Sequence, residues 1–194
     1  MKRSAAAVGA ELAILDASQR LRVRRYVQRH EAAGSILEPV VDGKRVINFC
    51  SNDYLGLAGD ARLAQAMQTA AAAWGVGAGA AHLVTGHTQE HHALEEELAE
   101  CTGREAALLF STGYMANIGV ITALVARGEV ILQDKLNHAS LLDGAQLSDA
   151  RLLRYRHADA ADAARIAEGE GSRLALVATD GVFSMDGDVA PLGE

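Results

Sequence analysis

The residues of this chain best suited to chemistry stand where apolar runs stop. After the run Arg173 to Ala178 comes Thr179-Asp180-Gly181-Val182-Phe183-Ser184-Met185-Asp186-Gly187-Asp188, a stretch of hydroxyl, carboxylate and small residues. Open α/β sheets bind ligands beyond the carboxyl ends of their strands, so this change from apolar to polar marks half of a binding site. Ser111-Thr112-Gly113-Tyr114 repeats the pattern after another apolar run. Free N–H groups at a helix start, a hydroxyl and a glycine that permits close approach make an anion site suited to a phosphate, and Thr-Gly is equally a plain helix cap. A third change falls at Asp134-Lys135-Leu136-Asn137-His138-Ala139-Ser140. An imidazole at His138, with an ordinary pKa of about 6.5, can stack on a ring or act as a general acid or base.

Other polar groups are less directed. Asn52 and Asp53, within Asn48 to Leu57, could hydrogen-bond a small ligand, but a loop pair of this kind more often closes an Asx turn. His82, His87, His91 and His92 lie around a glycine-rich stretch and do not offer an i, i+4 pair within one expected helix plus a third ligand, as zinc enzymes do, so no metal is expected. Cys50 and Cys101 are far apart without a C-x-x-C partner and read as buried free thiols. Gly75, Gly77 and Gly79 follow a helix instead of a strand, which removes the context a dinucleotide fingerprint requires.

The elements that would position these groups follow from periodicity and punctuation. Leu12, Leu15, Leu21 and Val23 among polar neighbours predict an amphipathic helix over 10–30, followed by a turn-rich connection through Gly34, Pro39 and Asp42-Gly43. Arg45 to Cys50 reads as a strand, Ala61 to Trp74 as an alanine-rich helix, Gly75 to Ala81 as irregular and Glu90 to Cys101 as a helix. From there strand and helix alternate: strand Ala106 to Ser111, helix Gly113 to Ala126, strand Glu129 to Asp134, helix His138 to Leu147, strand Arg151 to Arg156, helix Ala160 to Glu168 and strand Leu174 to Ala178. Such alternation implies an α/β fold, a mostly parallel sheet flanked by helices. All three strand-end segments then share one edge of the sheet.

Composition bounds the class. With 194 residues, 49% of them hydrophobic, the chain can bury a sizeable core. Eighteen basic against 25 acidic residues give a net charge of −7, which argues against a nucleic-acid partner. Arg20, Arg22, Arg24, Arg25 and Arg29 are a local exception, read as a solvated face. No apolar window reaches the length of a membrane span and no signal-peptide pattern opens the chain, so a cytoplasmic protein without membrane contact is expected.

Five motifs, in order, carry a family resemblance: NFCSNDYLGL at 48–57, GVGAGAAHLVTGHTQEHHALEEELA at 75–99, LLFSTGYMAN at 108–117, DKLNHASLLDG at 134–144 and TDGVFSMDGD at 179–188. The chain resembles the α-oxoamine synthases, pyridoxal 5'-phosphate (PLP) acyltransferases of fold type I. The resemblance implies that Gly113 and Tyr114 bind PLP near its phosphate, that His138 stacks on the pyridine ring and meets substrate, and that Ser184 hydrogen-bonds the cofactor. It implies a substrate contact for Arg22, with Arg20 an equal alternative, and places Asn52 near the bound amino acid. It also implies a homodimer, with the segment around Gly77 and Gly79 near its interface. Within the family the motifs most resemble the branch that condenses L-alanine with a pimeloyl thioester, on coenzyme A or an acyl carrier protein, in biotin biosynthesis. The glycine C-acetyltransferase, 5-aminolevulinate synthase and serine palmitoyltransferase types share the scaffold.

The resemblance also implies a lysine for the internal Schiff base and an aspartate for the pyridinium nitrogen. The lysines are Lys2, Lys44 and Lys135, and none matches the family's position. The expectation is therefore an N-terminal half, with residues 1–45 a helical segment and connection and 46–194 the first half of the PLP-binding large domain. Such a half is expected to be inactive alone. A lysine-less partner subunit is the alternative.

Overall fold

The computed structural model describes residues 4–28 and 39–193. Arg29 and Gly34, used in the reading above, lie outside them, as does Lys2. The chain forms two compact units, Met1–Gly77 and Ala78–Glu194.

In the first unit, helix α1 spans Ala5–Ala17 and opens on Ser4, whose hydroxyl accepts from Ala7 N at 3.2 Å. It stops well short of the expected residue 30. The Ser18 hydroxyl donates back to Ile14 O at 2.8 Å, and Gln19 enters the left-handed region at φ 56°, so Leu21 and Val23 fall outside the helix. A small antiparallel meander follows: β1 (Val27–Gln28), β2 (Val40–Val41) and β3 (Lys44–Arg45). The strand expected over 45–50 survives only as β3 and a further bond from Val46 N to Pro39 O. Asn48 Oδ1 accepts from Cys50 N at 2.9 Å and turns the chain out of line. Helix α2 (Ala61–Trp74) has the expected bounds, with Asp60 accepting from Arg62 N at 2.8 Å. Alanine's propensity and this cap suffice locally, because no residue of α2 is buried.

The second unit begins with a π turn at His82–Gly86. A Cβ on Gly86 would lie 2.0 Å from Ala80 O, so only glycine fits there. Helix α3 (Gln89–Thr102) and helix α4 (Gly113–Leu124) flank the run 106–111, which is not a strand. That run is apolar enough, but it has no ladder partner among the described residues, and pairing is what makes a strand. Leu109 N instead donates to Glu95 Oε1 at 2.9 Å.

The parallel sheet has the order β5-β4-β6, with β4 (Val130–Asp134) central, β5 (Arg151–Tyr155) and β6 (Leu174–Ala178) beside it. Helices α5 (Ala139–Leu147) and α6 (Ala160–Glu170) form the two crossovers. Every residue of β4 is buried, so both of its faces are covered. Ile121, Val125, Ile131, Leu141 and Ala145 make the core against α4 and α5. Gly144 sits where these helices cross, since a Cβ there would come within 2.8 Å of the Ile121 side chain.

Candidate functional site

Because β4, β5 and β6 are parallel, their carboxyl ends share an edge and their following segments meet there. After β4, Asn137 is buried and ties two of these segments together: Nδ2 donates to Ala178 O at 2.8 Å, and Oδ1 accepts from Asp180 N at 3.1 Å. His138 N donates to Asp180 Oδ2 at 2.6 Å. The His138 ring caps α5, its Nδ1 3.2 Å from Ser140 N and 2.7 Å from Ser140 Oγ, while the residue stays exposed. A flat imidazole is thus fixed at one nitrogen and open elsewhere.

The start of α4 joins this cluster through α5. Tyr114 Oη donates to Asp143, which pushes the phenol's pKa up, and Asn117 Nδ2 donates to Ser140 Oγ at 2.8 Å. Thr112 Oγ1 accepts from Met115 N at 3.1 Å, leaving the N–H groups of Gly113 and Tyr114, which the helix itself cannot use, for an outside acceptor. Beside this start lies a cleft of about 680 Å³ whose lining includes His82, His91, Phe110, Ser111 and Met115.

After β6 the chain makes a small hairpin. Val182 bridges Val189, Phe183 N donates to Asp188 O at 2.9 Å, and Gly187 N to Phe183 O at 2.9 Å. Phe183 is buried, whereas Ser184 stands exposed at the tip. A residue absent from the sequence reading holds this hairpin's base: His157, just after β5, lies between Asp134 and Asp188. The strand-end rule applied to β4 and β6 would have found His157 had it also been applied to Arg151 to Arg156.

The structure therefore assembles Gly113, Tyr114 and His138 around α4 and α5 and sets Ser184 on the neighbouring hairpin. Arg22 and Asn52 belong to the first unit, both exposed, Arg22 in the irregular segment after α1. Near Asn52 the bonds differ from the expected Asx turn: Asp53 N donates to the Ser51 hydroxyl at 3.1 Å, and the Asp53 carboxylate accepts from Ala58 N, five residues on, at 3.2 Å. Cys50 and Cys101 are exposed, not buried as expected, the first on a loop and the second on the open side of α3. The histidines converge more than their spacing suggested, with donor atoms of His87, His92 and Glu95 within 4.8 Å of one another. Glu95 also accepts from Leu109 N at 2.9 Å.

The model of the family "Aminotransferase class I and II" matches residues 44–194. The chain belongs to that family. Among curated relatives it is 63% identical to an 8-amino-7-oxononanoate synthase of Alkalilimnicola ehrlichii over 153 residues, 79% of this chain and 39% of the relative. It is 56% identical to the protein of that name from Methylococcus capsulatus over 184 residues, 94% of this chain and 46% of the relative. The chain thus spans less than half the length of each. Among solved structures, a serine palmitoyltransferase from S. paucimobilis with PLP and myriocin bound superposes with a TM-score of 0.85 at 31% identity, covering 96% of this chain and 48% of the other. An 8-amino-7-oxononanoate synthase from Francisella tularensis gives 0.66 at 32% identity, covering 76% of this chain and 41% of the other. Family membership and these superpositions establish the expected fold type I architecture, a parallel sheet flanked by helices. No described helix is long and apolar enough to cross a membrane.

Proposed function

We propose that the protein to which these residues belong condenses L-alanine with a pimeloyl thioester, with loss of carbon dioxide, to give 8-amino-7-oxononanoate for biotin biosynthesis. The observation that carries this reading is identity of 63% and 56% to relatives of that name. The site's chemistry supports PLP as cofactor. Two N–H groups at the start of α4 that have no partner among the described residues suit a phosphate, and beyond its chain neighbours and own helix no described atom lies within 4 Å of where a Gly113 Cβ would stand, so a ligand can approach the backbone. His138 presents a ring held at one edge, suited to stacking on a pyridine. PLP supplies the electron sink that makes the amino acid's α-carbon nucleophilic.

In this reading Gly113 and Tyr114 hold the phosphate end, His138 covers the ring and meets the substrate, and Ser184 hydrogen-bonds the cofactor. Arg22 or Arg20 and Asn52 contact substrate. The protein acts in the cytoplasm as a homodimer, with its acyl group on coenzyme A or a carrier protein. Lys44 lies in the first unit and Lys135 is exposed after β4, and neither matches the family's Schiff-base position.

The test is intact mass after borohydride treatment of the endogenous protein, paired with product analysis. A species about twice the 20.4 kDa of this chain, carrying a reduced pyridoxyl adduct and forming 8-amino-7-oxononanoate from alanine, is expected. Turnover of serine with palmitoyl-CoA, or of glycine, in preference to alanine would overturn the substrate assignment. An endogenous 20.4 kDa species without adduct would replace it with a non-catalytic partner subunit.

A further inference from the structure

His157 has no part in the reading above, yet its ring is held from both ends. Nδ1 lies 3.0 Å from Asp134 Oδ1, and Nε2 lies 2.7 Å from Asp188 Oδ2. Asp134 is fully buried at the end of β4 and also accepts from Leu136 N at 2.7 Å and Ala158 N at 2.8 Å, so it is a rigid anchor. Asp188 belongs to the hairpin, and its other oxygen is buried with no partner among the described residues. Phe183, on the opposite limb, sets its ring edge-on to His157 with centroids 4.5 Å apart. A neutral imidazole carries a single N–H. Between two carboxylates it would donate to one and turn a lone pair toward an oxygen of the other. Only the imidazolium donates to both.

We propose that His157 is a positioning residue, an imidazolium clasp that fixes the Phe183–Asp188 hairpin, and with it Ser184, to the carboxyl edge of the sheet. The role given to Ser184 rests on the function proposed above; the clasp itself rests on geometry. The charged groups acting on His157 are Asp134 from β4 and Asp188 from the hairpin. At the start of α6, the cap Asp159 and Asp162 are engaged by Arg156 at 2.9 and 3.6 Å, and Asp180 accepts from His138 N. The Asp134 hydrogen bond raises the His157 pKa; partial burial opposes this and the Asp188 bond adds to it. With its folded value raised, the clasp is complete below the ordinary value of 6.5 and opens as pH climbs through the raised value.

Hydrogen exchange on the purified full-length protein, read by mass spectrometry without added cofactor, tests this. Between pH 6.0 and 8.5, after correction for the intrinsic rate, peptides covering 181–190 should exchange roughly tenfold faster, the loss of one charge-assisted hydrogen bond, while β4 peptides stay unchanged. In H157Q the hairpin should exchange fast at both pH values with β4 still protected. D188N, which keeps the imidazole and removes the charge of its hairpin partner, should likewise abolish the pH dependence. Hairpin exchange that is flat with pH in the unmodified protein would overturn the clasp. So would an H157Q variant in which β4 and the hairpin loosen together, since that is general structural support. Failure of the PLP reading would show separately, as absence of the borohydride adduct.

Discussion

The two units use apolar residues in opposite ways. In the second, β4 is closed on both faces and its end positions Asp134, Asn137 and His138. In the first, neither α1 nor α2 buries a residue, and Phe49, Tyr54 and Leu55 are more than four-fifths exposed. The first unit's helices stand on caps and alanine propensity, the second unit's elements on packing. Of the residues proposed for the site, His138 lies where packing is dense. Arg22 and Asn52 lie where the chain offers little to hold them.

Equal truncations in the two units should therefore have unequal cost. Leu132→Ala removes a fully buried side chain at the centre of the sheet and should cost about 2–5 kcal/mol in urea unfolding. Leu63→Ala on α2, where 48% of the residue is exposed, should change stability by less than about 0.5 kcal/mol. Comparable losses at both positions would mean that the first unit is packed against something in solution.

The same contrast explains what the sequence alone disclosed. Leu174 to Ala178 has the expected bounds, and β4, β5, α5 and α6 lie within two residues of theirs, because buried parallel strands are continuous apolar runs and their crossovers carry clear caps. Strand-end placement of His138 and Ser184 followed from the same rule. Where pairing or turn chemistry decides, the reading failed: 106–111 has a strand's composition but no partner, and Ser18 and Gln19 end α1 although the apolar pattern runs on to Val23. His157 follows β5 and was within reach of the strand-end rule, but its contacts to Asp134 and Asp188 exist only once three segments meet, and no spacing in the chain encodes the approach of Asp188.

Acid should open the second unit from that same edge. Burial raises the Asp134 pKa, but the bonds from Leu136 N, Ala158 N and His157 outweigh it, and the carboxyl sits below its usual 3.8. A depressed folded value means that its stabilisation is present above pH 3.8 and is lost as pH falls through the folded value. Thermal melts from pH 6 to 3 should show this loss, and D134N should be less stable at pH 6 with a shallower fall. Parallel curves for the two proteins would place the acid-sensitive group elsewhere.

A smaller effect is expected where α4 crosses α5. Gly144→Val puts a branched side chain where even a Cβ lies 2.8 Å from Ile121 Cδ1, and overpacking of this kind costs about 1–3 kcal/mol. Because α4 and α5 carry Tyr114 and Asp143 and His138 caps α5, a shift there should also weaken PLP retention, measured by absorbance after gel filtration. Stability lost with retention unchanged would show that the helix starts are held independently of the crossing.

The smallest effect belongs to the first unit and carries the opposite sign. Gly9 lies inside α1 with nothing within 4 Å of where a Cβ would stand, so Gly9→Ala meets no obstacle and removes the entropy cost of glycine in a helix. The gain should be about 0.5–1 kcal/mol for the helix, read as increased helicity of a peptide covering 4–19 by circular dichroism. In the whole protein the global melting midpoint should barely move, because α1 buries nothing that unfolding of the sheet would expose. A midpoint that rises with the peptide's helicity would couple α1 to the core and remove the distinction between a propensity-built unit and a packed one.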